Sequence, residues 1–224
     1  MGHLIDCHVL TMPDDRADWA AQLRADLDAE PVHQHWLPGI EGRFGMARAK
    51  GFALGCAPFL SFADPDDRVV GGTFSCLLAA LLEHPGAPFA WAGEQRVDSD
   101  LVPIGEPTVW PDGYDQRRHR NHMTYCHGVV LIRRAVLMPA LGLLRACGVG
   151  ADGVLLGHLA RVHSPLPPDA LPVHVPIVGR LWRQHQRNYH RTYSASARAR
   201  DQRLLGVTPQ YLHITQAPAG GADR

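Results

Sequence analysis

The chain has 224 residues, of which 46% are hydrophobic and 20% are charged. These are ordinary values for a soluble globular protein, so the composition excludes intrinsically disordered and fibrous classes. The longest uninterrupted apolar run, residues 76–82, is far shorter than the roughly 20 residues that cross a bilayer, and the N-terminus lacks the apolar stretch of a secretory signal. The sequence therefore predicts a cytoplasmic protein without a membrane span, long enough for one generous domain with an appendage.

The net charge of zero conceals two halves of opposite sign. Residues 1–110 contain 16 acidic and 7 basic side chains, whereas residues 111–224 contain 6 acidic and 15 basic side chains. An acidic half suits a metal ion, and a basic half suits a polyanion or a nucleotide diphosphate. Because two lobes that pack on each other would give the same counts, the charge pattern alone leaves both interpretations open.

The cysteines and histidines do not indicate a zinc site. The 5 cysteines are scattered without a C-x-x-C spacing, which argues against a disulfide framework or a zinc-thiolate site and favours buried free thiols. Of the 14 histidines, His33 and His35 share one face of a predicted strand, but no further zinc ligands are evident near them.

The first 100 residues alternate between short apolar strands and amphipathic helices. Strands are predicted at residues 5–11, 32–37, 59–63 and 89–93. Helices are predicted between them, at residues 19–27, 44–54 and 74–82. Such alternation predicts an α/β fold with a mainly parallel central sheet and helices on both faces.

The second half of the chain is more polar. Residues 98–122 form a stretch with Pro and Gly that is too long for an idle connection, and such loops are often functional. Beyond it we expect a strand at residues 125–132 and helices at residues 135–147 and 154–162.

The final part of the chain predicts a boundary between two regions. From Val173 onward the sequence becomes rich in Arg and His, and residues 217–224 have the composition of a frayed terminus. We therefore expect a principal domain over residues 1–190 and an Arg-rich extension over residues 191–224 that ends in a flexible tail.

The most informative segment is an acidic turn. Asp64, Asp66 and Asp67 come directly after the strand predicted at residues 59–63. In an open parallel sheet, ligands bind outside the carboxyl ends of the strands, and carboxylates there suit Mg²⁺ or Mn²⁺, which complete their coordination with water and phosphate oxygens. Because Asp-Pro-Asp-Asp also favours turns and helix caps, a purely structural turn is the alternative.

At this segment the chain resembles the inverting glycosyltransferases of family 2, which have the GT-A fold. Those enzymes commonly have an A-R-N-x-G-like helix end ahead of an acidic D-x-D, much as Ala47-Arg48-Ala49-Lys50-Gly51 precedes Asp64-Pro65-Asp66 here. Three later segments follow in the family's order: residues 128–134 resemble its strand before the acceptor-side helix, residues 151–156 its E-D-x-x-L segment, and residues 178–185 its Tyr-Arg-x-His stretch. The resemblance covers roughly residues 4–190 and implies a GT-A, Rossmann-like fold.

The resemblance implies a catalytic base. Asp152 stands in the segment similar to E-D-x-x-L, so it would deprotonate the acceptor hydroxyl as that hydroxyl attacks the sugar. It is also the only acidic residue between Asp115 and Asp169. Its alternative role is that of an N-cap for the helix that follows, and the two roles are compatible.

The resemblance also implies a metal-dependent donor site. A divalent cation, Mn²⁺ or Mg²⁺, would bind Asp64 and Asp66, with His185 as a further ligand and His190 as its alternative. A UDP-sugar is the implied donor, and its diphosphate would leave with its charge neutralised by the cation. The residues implied to contact this donor are Thr11, Pro13, Arg48, Lys50, Asp64 and Arg183.

The chain departs from the family where the nucleoside would bind. The family's first strand usually ends in a Pro-x-x-Asn-like turn, and its second strand ends in an acidic loop with Ser. The corresponding places here are Thr11-Met12-Pro13-Asp14 and His35-Trp36-Leu37-Pro38. UDP is therefore an implication of the resemblance and not of these residues.

The C-terminal stretch combines arginines with aromatic rings, as nucleic-acid-binding surfaces do. Its members are Arg180, Arg183, Arg187, Arg191, Arg198, Arg200 and Arg203, with Trp182, Tyr189 and Tyr193 among them, and Arg117, Arg118 and Arg120 would extend the surface. This pattern favours a DNA acceptor such as a hydroxymethylated pyrimidine. The alternatives are an Arg-rich helix that packs on the acidic half, and a saccharide or small-molecule acceptor.

Two other functions and two quaternary arrangements stay open at this point. A non-catalytic nucleic-acid-binding protein would use the acidic turn only for structure. A nucleotidyltransferase would also bind Mg²⁺ through paired acids, but no G-x-G-x-x-R-like opening follows the first strand. The apolar segment 204–215 would suit packing on a second subunit in a homodimer, or covering its own core.

Overall fold

The structure of the protein is a computed structural model that describes residues 3–110, 113–122, 124–148, 150–186, 188 and 203. The strands in these residues are β1 (Ile5–Thr11), β2 (Val32–Pro38), β3 (Phe59–Ala63), β4 (Arg68–Val69), β5 (Phe89–Val97), β6 (Val130–Arg133) and β7 (Val173–Arg183). They form one sheet in the order β2-β1-β3-β6-β5-β7-β4. β4 and β6 are antiparallel to the other strands, which are parallel to one another. The predicted α/β fold with a mainly parallel sheet is therefore confirmed.

Helices cover both faces of this sheet. They are α1 (Ala17–Asp28), α2 (Phe44–Phe52), α3 (Thr73–Glu83), α4 (Gln116–Asn121), α5 (Arg134–Leu137), α6 (Leu141–Ala146) and α7 (Ala151–Leu159), with 3₁₀ turns at Met138–Ala140 and Pro168–Ala170. The core on one face is built with side chains of α1 and α3, and the core on the other face with side chains of α2, α6 and α7. None of the described helices is long and apolar enough to span a membrane.

The alternation of side chains along β1 shows why both faces are covered. Ile5, Cys7 and Val9 are fully buried in the core shared with α1 and α3. His8 is buried on the opposite face, where its ring meets the edge of Phe52 from α2 at 5.4 Å. Because successive side chains of a strand point to opposite faces, this central strand has no solvent-exposed face.

Several elements of the structure differ from those predicted. The helix predicted at residues 135–147 is divided into α5, a 3₁₀ turn and α6, because Pro139 has no N–H for an α-helical hydrogen bond. The strand predicted at residues 125–132 begins only at Val130, because Tyr125 instead packs its ring 5.2 Å from that of Trp110, and its backbone carbonyl accepts a hydrogen bond from the Trp110 indole N–H. β7 was not predicted as a strand.

The cysteines are all free, as expected, but they are not all buried. Cys7, Cys126 and Cys147 are buried, whereas Cys56 and Cys76 are exposed. The domain boundary at residues 190/191, His190 and the apolar segment 204–215 lie outside the described residues. The same holds for Arg187, Arg191, Arg198 and Arg200 of the Arg-rich stretch.

Candidate active site

The acidic turn after β3 lies at the carboxyl edge of the sheet, where β1, β3, β5 and β7 all end. The backbone N–H of Asp67 donates to the carbonyl oxygen of Asp64 at 3.1 Å, which closes the turn. The Oδ2 atom of Asp66 lies 2.8 Å from Nε2 of His185, two residues after the end of β7. The fold thus joins two predicted metal ligands that are 119 positions apart in the chain.

Electrostatics at this pair favour a positive ligand. Burial raises the pKa of Asp66, and the neighbouring charge of Asp64 raises it further, while the contact with His185 lowers it. A cation placed beside the two carboxylates would relieve the repulsion between them.

The third carboxylate of the turn is structural. Asp67 is 3% exposed, and its Oδ1 accepts a hydrogen bond from the backbone N–H of Arg183 at 2.9 Å. Its Oδ2 lies 3.4 Å from Nη1 of Arg180. Burial raises the pKa of Asp67 well above its usual range, although the charge of Arg180 opposes that rise. Asp67 therefore fixes the turn to the end of β7 and so sets the position of His185.

Arg48 joins the acidic turn to α7. Its side chain is completely buried in α2, with the guanidinium carbon 4.5 Å from the ring centroid of Phe62 and 4.8 Å from that of Phe44. The Nη2 atom donates to Oδ1 of Asp64 at 3.1 Å, and Nε and Nη2 donate to the two carboxylate oxygens of Asp152, each at 3.3 Å. One guanidinium thus holds two of the predicted site carboxylates.

A glycine in α2 allows this helix to pack closely on α6. A Cβ atom on Gly45 would lie 2.2 Å from the carbonyl oxygen of Leu144 in α6 and 2.7 Å from that of Cys147. Only a glycine allows so close an approach of two helix backbones. The close packing of α2 on α6 carries Arg48 to the end of α7.

Asp152 is the second residue of α7, and its side chain is 26% exposed. Gly150 occupies the N-cap position and no side chain caps the helix, so Asp152 bonds to Arg48 and does not act as the N-cap. Burial raises the pKa of Asp152, whereas the charges of Arg48 and His127 lower it. The carboxylate is thus held in place by a cation at the open edge of the sheet.

The remaining predicted donor residues occupy three different places. Thr11 ends β1 and donates its hydroxyl to the carbonyl oxygen of Leu37 at 3.2 Å, and Pro13 lies in the turn that follows. Lys50 is exposed near the end of α2, two positions from Arg48 and hence on another side of the helix. The structure therefore does not bring Lys50 into the cluster around Arg48.

Arg183 is buried against the acidic turn and stabilises it. Its side chain is 1% exposed, with Nη1 donating to the backbone carbonyl of Asp66 at 2.7 Å and Nη2 donating to Oε1 of Gln22 at 2.8 Å. The guanidinium also lies 4.5 Å from the ring centroid of Trp19, and the same ring lies 4.9 Å from that of His185. These contacts orient the residues of the predicted metal site.

The structure reveals one polar cluster at this edge that sequence reasoning missed. Glu94 of β5 is buried, and Nδ1 of His127 lies 2.9 and 2.8 Å from its two carboxylate oxygens. Arg180 of β7 forms an ion pair with the same carboxylate. Burial raises the pKa of Glu94, but the charges of His127 and Arg180 outweigh it and lower this pKa to about 2. The one signal in the sequence is that Glu94 is an acid directly after the apolar segment 89–93.

The donor atoms around Asp66 fit a divalent cation that is shared with a ligand. No group of three or more His, Cys, Asp or Glu side chains in the described part of the chain is arranged as a metal site. Asp66 and His185 nevertheless supply one oxygen and one nitrogen side by side, with the carboxylate of Asp64 nearby but bonded to Arg48. Mn²⁺ and Mg²⁺ take few protein ligands and complete their coordination with water and phosphate, so a closed protein cage is not required.

Comparisons with known proteins support the fold assignment. No protein-family model and no curated protein matches the sequence. Among solved structures, S. aureus TarS 1–349 matches with a TM-score of 0.64 and 12% identity, over 91% of this chain and 64% of that one. TarS 1–349 in complex with UDP-GlcNAc matches with a TM-score of 0.66 and 11% identity, over 91% of this chain and 65% of that one.

These matches extend over nearly the whole chain but over less than two thirds of TarS 1–349. At this level of identity they establish the fold. The GT-A-like architecture that the resemblance implied is thereby confirmed.

Proposed function

We propose that the protein is a metal-dependent, inverting glycosyltransferase that moves a sugar from a nucleotide-sugar, UDP-sugar by preference, to a hydroxyl acceptor. The observation that carries this proposal is the arrangement of Asp64, Asp152 and the Asp66–His185 pair around one edge of the sheet. Two TarS structures of this fold were crystallised with UDP or UDP-GlcNAc, which supports the choice of donor.

The donor would lie along the carboxyl edge from β1 to β7. Thr11 and Pro13 would contact the nucleoside at the end of β1, whereas Lys50, on another side of α2, would lie outside the diphosphate site. Asp66 and His185, with Asp64 beside them, would hold a divalent cation together with diphosphate oxygens. When bound, this cation supplies positive charge that stabilises the leaving diphosphate.

Two buried arginines would assist the reaction by holding the site carboxylates and the acidic turn in place. Arg48 holds Asp64 and Asp152 in fixed geometry, and Arg183 holds the backbone of Asp66. Because both guanidinium groups are enclosed by protein, they need no reorganisation when charge develops on the donor.

Asp152 would act as the general base. Its carboxylate accepts the proton of the acceptor hydroxyl, the acceptor oxygen forms a bond to the anomeric carbon, and the bond from that carbon to the diphosphate oxygen breaks. The nucleoside diphosphate leaves with the electron pair, and the configuration at the anomeric carbon inverts. Burial raises the pKa of Asp152, and the ion pair with Arg48 opposes that rise while holding the carboxylate in place.

We further propose that the acceptor is DNA, for example a hydroxymethylated pyrimidine. Exposed arginines on and near α4 favour DNA over a neutral saccharide or small molecule. Arg117 and Arg120 are exposed at i,i+3 spacing on this helix. Nε of Arg120 donates to the carbonyl of Val162 at 2.7 Å, which brings the exposed Arg161 beside them. A cluster of exposed guanidinium groups suits a phosphodiester backbone.

Calorimetric titration of UDP tests the donor site. We expect binding to the wild type in Mn²⁺ and binding at least tenfold weaker in EDTA. Asp66→Ala and His185→Ala should each show the weak binding even in Mn²⁺, because each removes one of two adjacent metal ligands.

Glu83→Gln, which removes an exposed carboxylate at the end of α3, is the matched control and should bind as the wild type does. Equal UDP affinity with and without Mn²⁺ in the wild type would contradict the proposed metal dependence. Absence of UDP binding under every condition would contradict the donor itself.

A further inference from the structure

The topology places His127 between two acidic strand ends. His127 comes three residues before β6, and β6 lies between β3 and β5 and runs antiparallel to both. The start of β6 therefore lies at the same edge as the end of β3, where Asp64 stands, and beside Glu94 in β5. The imidazole is thus at the edge where the proposed donor and acceptor would meet.

The backbone next to His127 is fixed by a glycine. Gly128 has a φ of +133°, and a Cβ atom there would lie 2.1 Å from the carbonyl oxygen of Ala92 in β5. The chain therefore presses directly against β5 at this point, in a conformation that other residues rarely adopt. This close packing fixes the position of the backbone from which the His127 side chain extends.

The imidazole is held by neighbouring side chains and is still partly exposed. Glu94 is 5% exposed and bonds Nδ1, and the ring of Trp182 meets the His127 ring at 4.7 Å and an angle of 70°. The His127 side chain nevertheless remains 33% exposed. A buried carboxylate that orients a partly exposed imidazole leaves the remaining edge of the ring for a ligand.

The hydrogen-bonding capacity of the ring indicates the chemistry of that ligand. Nδ1 is bonded to Glu94, and Nε2 is the second ring nitrogen able to form a hydrogen bond. Nη2 of Arg180 lies 2.6 Å from Nδ1 and 3.2 Å from Nε2, so this guanidinium borders the same part of the ring. A hydroxyl group, which both donates and accepts, matches Nε2 and the neighbouring guanidinium together.

We propose that His127 is a substrate-binding residue that hydrogen-bonds a hydroxyl group of the transferred sugar or of the acceptor, and that Glu94 is the residue that positions it. This inference rests on the proposed transferase function. Neither residue was selected by motif or by resemblance, and both follow from the register of β5 against β7 and from the start of β6.

Two substitutions at His127 separate hydrogen bonding from shape. His127→Phe keeps a ring beside Trp182 but cannot accept a hydrogen bond, whereas His127→Asn keeps a polar group. The readout is UDP release from UDP-GlcNAc and from its monodeoxy analogues, without acceptor and with glycerol as a surrogate acceptor. Thermal unfolding of each variant establishes that it is folded.

We expect His127→Phe to lower kcat/KM by about tenfold, the loss typical of one hydrogen bond to a buried group, and His127→Asn to restore part of it. Glu94→Gln should show a smaller loss in the same direction, because the amide holds the imidazole less firmly. A loss that disappears with one monodeoxy donor identifies a hydroxyl of the transferred sugar. A loss confined to the glycerol-dependent rate identifies the acceptor hydroxyl.

Unchanged rates for His127→Phe in both assays would overturn the inference while leaving the transferase proposal intact. A loss of the same size for every donor analogue, with no recovery in His127→Asn, would also overturn it, since that is the signature of a structural role. Failure of the wild type to bind UDP or UDP-GlcNAc would instead overturn the proposed function, and this inference with it.

Discussion

Arg48 and Asp152 are joined by two hydrogen bonds of 3.3 Å, although 104 positions separate them in the chain. The guanidinium is completely buried, whereas the carboxylate reaches the open edge of the sheet. The packed position of α2 therefore fixes the carboxylate of Asp152, the general base proposed in α7. Its electrostatic consequence is that Arg48 lowers a pKa that burial alone would raise.

Replacing Arg48 by methionine should shift the pH dependence of transfer. Burial raises the pKa of Asp152 and the charge of Arg48 opposes it, so loss of the guanidinium raises this pKa further. The base then becomes protonated at a higher pH, and the acidic limb of the kcat/KM profile moves toward alkaline pH. The measurement is UDP release across a pH series.

Arg48→Met should also lower the free energy of unfolding by about 1–3 kcal/mol, because it leaves the partly exposed carboxylates of Asp64 and Asp152 without their hydrogen-bonded cation. Arg48→Lys keeps the charge, so its acidic limb should lie closer to that of the wild type. An unchanged limb in a folded Arg48→Met variant would show that Asp152 is not the titrating base.

Asp152→Asn should reduce transfer without reducing donor affinity. The amide is close in shape to the carboxylate but cannot take a proton from the acceptor, and loss of a general base typically costs about 10²–10⁴ in rate. The measurements are kcat for UDP release in the presence of acceptor and Kd for UDP. A parallel loss of UDP affinity would place Asp152 in donor binding instead.

Two glycines that lie in neighbouring helices should respond in opposite directions to alanine. Gly45→Ala in α2 puts a Cβ atom 2.2 Å from the Leu144 carbonyl, and overpacking against backbone should cost about 1–3 kcal/mol. Gly142→Ala in α6 meets nothing within 4 Å and should stabilise the protein by up to about 1 kcal/mol. Urea unfolding measures both changes, and a stabilised Gly45→Ala would refute the close approach of α2 and α6.

His119 should make the protein sensitive to acid. Burial lowers its pKa from 6.5 to about 3, so the folded state keeps the ring neutral while the unfolded state takes up a proton. The stabilisation is complete above pH 6.5 and is lost as the pH falls toward 3, at about 1.4 kcal/mol per pH unit.

His119→Gln should therefore lose less stability than the wild type between pH 7 and pH 5, by about 2 kcal/mol, as measured by urea unfolding at the two pH values. His163→Gln, which changes an exposed histidine, is the matched control. An equal loss in the wild type and in His119→Gln would show that His119 is not the group responsible.

Elements with a strong period were predictable from the sequence. The apolar run of β1 reflects a strand that is covered on both faces, the helical spacing of Trp19, Leu23 and Leu27 reflects one buried face of α1, and β3 has the predicted bounds Phe59–Ala63. The acidic turn was predictable in place because it directly follows β3. The pattern of apolar residues in a sequence indicates which side chains are buried, so segments with a buried face are the ones that can be predicted.

The cluster of Glu94, His127 and Arg180 was not predictable in the same way. Glu94 lies opposite Arg180 only because β5 and β7 pair in a register that shifts twice between Ala92 and Glu94. His127 approaches them only because β6 inserts between β3 and β5. Strand order and register are decided by tertiary packing, and no local pattern in a single sequence records them.

The most direct test of the transferase proposal is UDP release from a panel of UDP-sugars in Mn²⁺, with hydroxymethylated DNA, unmodified DNA or no acceptor. We expect UDP release that depends on Mn²⁺, increases with the hydroxymethylated acceptor and is lost in Asp152→Asn. Absence of UDP release from every donor, or release of pyrophosphate in its place, would contradict it.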